Sequence, residues 1–117
     1  MKQFTYLFII FILITILNAY TEAGISCEQL KQNGEDAETL NQKFQDLTPD
    51  SPCKNGDEAC INDEFAQCVD KQFKLFPCGG GTKCVALPLL LKAGTSLTCD
   101  TEADKNTRIE NAKKCVR

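Results

Sequence analysis

No histidine occurs in the 117 residues. The usual general base is therefore missing, and with it every Ser–His and Cys–His nucleophile pair. Tryptophan is absent too, and both tyrosines, Tyr6 and Tyr20, fall before residue 24. No two cysteines are adjacent or spaced as Cys-x2-Cys. Without histidine, that removes the ligand sets of a zinc site, so no metal or other cofactor is expected. Gly79-Gly80-Gly81 is not followed by Gly-Lys-Ser/Thr, and no helix pattern starts there, so it is loop closure rather than a phosphate cradle. An excess of positive charge is also missing: 13 basic residues face 16 acidic ones, for a net charge of −3. That balance argues against nucleic acid and against anionic membrane surfaces as partners.

What is present begins with a leader. Lys2 is followed by an apolar run from Leu7 to Leu17, broken only by Thr15, and then by Thr21-Glu22-Ala23 with small residues at the peptidase positions. This pattern predicts a secretory signal peptide over residues 1–23, cleaved after Ala23. The run is shorter than the ~20 residues a membrane span needs. The remainder, residues 24–117, has the length of one domain. The leader carries one base and one acid, so the domain keeps the net charge.

All eight cysteines follow the leader: Cys27, Cys53, Cys60, Cys68, Cys78, Cys84, Cys99 and Cys115. An even count in a secreted chain predicts four disulfides, of which 105 pairings are possible. Cys27 and Cys115 stand outside a block of six and are expected to clasp the two ends. Cys78 and Cys84 flank the glycine loop and are expected to pair locally. The block from Cys53 to Cys99 is then a cystine core of short strands.

Residues 26–47 read as helix, with Ser26 and Gln29 as a capping box. Asn33-Gly34 is expected to interrupt it, with a second helix from Glu35 placing Ala37, Leu40, Phe44 and Leu47 on one face. Ala59–Ile61, Phe65–Val69 and Gln72–Phe76 read as strands. Asp70-Lys71 has the length of a two-residue hairpin loop. That loop sets Phe65 opposite Phe76 and Gln67 opposite Lys74 on one side of the ribbon. Ala66, Cys68, Phe73 and Leu75 take the other side, which the cysteine marks as inner. Thr82–Leu91 is the most apolar part of the domain, and Pro88 confines it to an edge or splits it. Thr95–Cys99 is the last strand. An Asp100 or Thr101 cap then starts a final helix to Lys114 with Ile109 and Ala112 inward. The predicted fold is a small disulfide-rich α+β domain: a twisted antiparallel sheet with a helix from each end packed on it.

Catalysis is not expected. The carboxylate pairs Asp57/Glu58 and Asp63/Glu64 sit in turn-rich, solvated stretches, whereas glycosidase work needs a cleft and one raised pKa. Binding by a rigid surface remains. A sugar has an apolar face that stacks on rings and hydroxyls that need fixed polar partners. A stapled hairpin presenting Phe65, Gln67, Lys74 and Phe76 side by side supplies both at little ordering cost.

The chain also carries Leu40-Asn41-x-Lys43-Phe44, Ser51-Pro52-Cys53, Gly56-x-x-Ala59-Cys60 and Phe65-Ala66-Gln67-Cys68. These continue as Phe73-x-Leu75-x-Pro77-Cys78, Gly81-Thr82-x-Cys84-x-Ala86-Leu87-Pro88 and Gly94-Thr95-Ser96-x-x-Cys99-Asp100-Thr101. From Leu40 to Ile109 the chain thereby resembles the fungal carbohydrate-binding module family 19, found on family 18 chitinases and in small secreted fungal proteins. The resemblance implies binding of chitin or chitin oligosaccharides at a cell wall, and adds Phe73 to the candidate residues by family position. The Asp-x-x-Asp-x-Asp-x-Glu pattern of family 18 catalytic domains is missing. Adjacent Cys-Cys pairs, as in hydrophobins and plant-type lipid-transfer proteins, are missing as well. The expectation is thus a secreted, non-catalytic binder, extracellular or in the cell wall, with chitin or a related polysaccharide as partner. The alternative is a secreted cysteine-rich protein that binds another protein on the same scaffold.

Overall fold

A computed structural model describes residues 24–117. The signal peptide expected over residues 1–23 lies outside the described residues. Helix α1, Cys27–Phe44, begins where the Ser26 hydroxyl accepts a hydrogen bond from the Gln29 N–H at 3.1 Å. It runs unbroken through Asn33-Gly34, contrary to the expected interruption. The reason is tertiary. At Gly34, α1 meets the second helix so closely that a Cβ would lie 3.1 Å from that of Ala112 and 3.2 Å from the Lys113 backbone nitrogen. Glycine costs a helix roughly 1 kcal/mol against alanine, and the close approach it permits offsets that cost. Helix α2, Glu102–Lys113, is capped by Thr101, whose hydroxyl accepts from the Asp104 N–H. It buries Ile109 and Ala112 as their spacing predicts.

Between the helices lie five strands: β1 (Glu58–Ile61), β2 (Glu64–Val69), β3 (Gln72–Phe76), β4 (Lys83–Pro88) and β5 (Thr95–Asp100). They form two antiparallel sheets rather than one, β1-β2-β3 and β4-β5. Both tight turns of the first sheet, Asn62-Asp63 and Asp70-Lys71, have positive φ at each residue. That is the geometry whose twist matches paired strands. Lys71 is an unusual residue there, and its N–H is held by the Asn55 side chain at 2.7 Å. Pro88 ends β4, where a two-stranded sheet consists only of edges. The other edge of β4 is closed by Asn41, whose amide both donates to and accepts from the backbone of Ala86 at 2.9 and 2.8 Å.

One apolar cluster joins Ala59, Ile61, Ala66, Cys68 and Phe73; another joins Ala37, Ala86 and Ile109; Phe44 packs against both. The disulfides are Cys27–Cys115, Cys53–Cys68, Cys60–Cys84 and Cys78–Cys99, with no free cysteine. The terminal clasp is as expected. The local Cys78–Cys84 pairing is not formed. The glycine loop carries the chain from the first sheet into the second, and Cys84 and Cys99 stand opposite each other on β4 and β5. Cys84 bonds back to Cys60 on β1 and Cys99 to Cys78 in the loop that leaves β3, so two cystines tie the second sheet to the first and to the chain leaving it. Four disulfides suit an oxidising, extracellular-type environment. No helix among the described residues is long and apolar enough to cross a membrane.

Candidate functional site

Alternation along the strands of the first sheet sorts its side chains between two faces. One face carries Ala59, Ile61, Ala66, Cys68 and Phe73 into the core. The other carries Phe65, Gln67, Lys74 and Phe76 outward. The register is that set by a two-residue loop: Phe65 pairs with Phe76, Gln67 with Lys74, and Cys68 with Phe73. The rings of Phe65 and Phe76 lie 6.4 Å apart and tilted by 38°. Phe76 is 51% exposed, while Phe65 is half-buried. Lys74 is exposed and makes no ion pair among the described residues.

Four of the five candidate residues are thus brought together. Phe73 is not among them. It is 7% exposed, on the opposite face, against Ala59, Ile61 and Cys68. Phe73, which only the resemblance added to the candidates, is therefore a core side chain, because the pleat and the Asp70-Lys71 turn fix its direction.

The structure adds neighbours that sequence reasoning missed. Val69, 41% exposed, and Gln72 pair at the turn end of the same face. Period-two alternation alone would have found them. Glu58 pairs with Gln67 from β1, so Glu58, Gln67 and Lys74 form one row across three strands. The Phe65 and Phe76 row continues to Cys60 and ends at its disulfide to Cys84. Neither extension was legible, because both require the β1–β2 register. Backbone pairing and disulfides hold this face in one arrangement.

The acids considered for catalysis have structural surroundings. The Asp57 carboxylate accepts the Lys54 N–H at 2.9 Å, and Asp63 sits in the β1–β2 turn. A concavity of about 360 Å³ lies where that turn meets the end of α1 and the start of α2. Lys83, Glu102 and Lys105 line it. Lys105 donates to Glu102 at 2.7 Å, and this hydrogen bond holds the Glu102 carboxyl below its ordinary range. Among the described residues, no cluster of His, Cys, Asp and Glu is suited to a metal.

Comparison of the chain with family models, with curated proteins and with solved structures finds no match.

Proposed function

We propose that the protein is a secreted, non-catalytic carbohydrate-binding protein whose ligand is chitin or its oligosaccharides. The observation that carries this reading is the row of two phenylalanine rings beside a row of Gln67 and Lys74, on one open, pre-ordered sheet face. The rings take the apolar face of a pyranose. The amide and ammonium take its hydroxyls and acetamide carbonyl. The resemblance to carbohydrate-binding module family 19 in the cysteine-bearing segments supports the same ligand class.

An open face with two rings holds one or two sugar units. Affinity for soluble oligomers should be weak, with a dissociation constant of roughly 0.1–1 mM. Insoluble chitin should retain the protein better, because neighbouring chains allow rebinding. Retention on chitin at low salt, lost in Phe76→Ala with the fold intact, is the expected result. Failure of the wild-type protein to be retained would sink the reading. No product should be released from chitin or chromogenic glucosaminides.

A second reading has its own observation. Val69 and Phe76 are both largely exposed on this face, and apolar side chains of that size also anchor protein contacts. A secreted protein partner would then occupy the same face.

A further inference from the structure

We propose that the groove beside Glu58 is a subsite for a cationic amino-sugar residue. The protein would then prefer partly deacetylated β-linked glucosamine polymers to fully acetylated ones. This inference rests on the carbohydrate reading and names its substrate class.

The groove lies where β1 faces the start of β5 and the end of α1. Its volume is about 520 Å³, and it is lined by Leu40, Phe44, Glu58, Thr95, Ser96 and Leu97. That size falls in the range of small-ligand sites. Its lining is mixed in the way a sugar requires: apolar side chains for the C–H face, two hydroxyls for ring hydroxyls, and one carboxylate. Glu58 links the groove to the proposed binding face: it lines the groove and stands directly across the ladder from Gln67.

The carboxylate decides the chemistry. Glu58 is exposed and forms no ion pair among the described residues. A neutral acetamide offers it one weak donor. An ammonium group offers a charge-assisted hydrogen bond, roughly twice as strong as a neutral one. The row also has a direction. Lys74 stands at its other end, about 10 Å from Glu58 at the ordinary strand spacing. It repels a cation and accommodates an acetyl carbonyl. One ligand chain laid across the strands therefore meets an acetyl-preferring end and an amine-preferring end.

The test is isothermal titration of the full mature protein with two tetrasaccharides, one fully acetylated and one half-deacetylated. The half-deacetylated ligand should bind about ten-fold tighter at low salt, and about 0.5 M sodium chloride should remove most of the difference. Glu58→Gln should reduce its affinity about ten-fold, so that the two ligands bind alike. Asp50→Asn removes the same charge from an exposed site elsewhere and should leave the preference intact. Equal binding of the two ligands by the wild-type protein overturns the proposal. So does a preference that survives Glu58→Gln or disappears in Asp50→Asn. In each of these cases the carbohydrate reading stands if the acetylated ligand binds and Phe76→Ala weakens it. If neither ligand binds, both the reading and the proposal fall.

Discussion

Phe73 and Phe76 are separated by two residues yet have opposite fates, and their substitution should separate stability from binding. Phe73 is packed in the core, so Phe73→Ala should lower unfolding free energy by about 3–5 kcal/mol. Guanidinium titration with the disulfides intact would measure it. Phe76 is half in water, so Phe76→Ala should change stability by less than about 1 kcal/mol while abolishing retention on chitin. If the two results were exchanged, the faces would be exchanged. Asn33 is the other decisive residue. It is fully buried; its amide donates to the carbonyls of Leu89 and Lys92 and accepts from the N–H of Gly94. In Asn33→Ala those backbone groups lose their partner, at about 1–3 kcal/mol for a buried group left unpaired. Proteolysis should then become faster within residues 89–94, with cleavage mapped by mass spectrometry. An Asn before a Gly reads locally as a break, which is why this anchor was hidden in the sequence.

At the scale of elements, the two helices lean on each other through a gap that only glycine fits. Gly34→Val places two methyl groups where Ala112 and Lys113 already lie at 3.0–3.2 Å from the first added carbon. Overpacking of this kind costs typically 1–3 kcal/mol. The melting temperature should fall without loss of helix content by circular dichroism. A rise in melting temperature would show that the helices separate freely. The strands tell a different story. The β2–β3 hairpin was legible because a two-residue loop and a period of two leave one register. The division into two sheets was not, because Gly79–Thr82 reads as a turn of a hairpin as readily as a passage between sheets.

For the whole molecule, the covalent frame and the charge pattern set the behaviour. The Cys27–Cys115 bond closes a loop of 88 residues. Replacing both cysteines by serine should cost about 4–5 kcal/mol on the chain-entropy account, read from the unfolding midpoint. Two ion pairs give the pH dependence. Lys113 donates to Glu38 at 2.6 Å, tying α2 to α1, and its pKa is raised by that bond. Its contribution is complete below the ordinary lysine value of 10.5 and fades as pH rises through the raised value. Glu102 is lowered by Lys105, so its contribution is present above the ordinary 4.5 and fades as pH falls through the lowered value. Both pairs are near the surface and their effects are small. The chain has no histidine and every cysteine is bonded, so the side-chain types that ordinarily titrate in between are missing. The melting temperature should be flat from about pH 5 to 9. A large step inside that window would count against these two pairs as the main source of pH dependence.

The sequence by itself determined what depends on short separations and on counting. Eight cysteines in an oxidising setting mean four staples. Leu40 and Phe44, and Ile109 and Ala112, repeat at helical spacing and find the core. Asp70-Lys71 fixes which of Phe65, Phe73 and Phe76 share a face. Tertiary structure decided whatever depends on bringing distant segments together. The Cys60–Cys84 and Cys78–Cys99 pairing follows from where β4 and β5 set Cys84 and Cys99 beside the first sheet, whereas loop flexibility between Cys78 and Cys84 describes only how easily a loop closes in the unfolded chain. The uninterrupted α1 follows from α2 lying on Gly34. The groove that joins Glu58 to Thr95 and Ser96 exists because β5 folds back beside β1, and no local pattern records that contact.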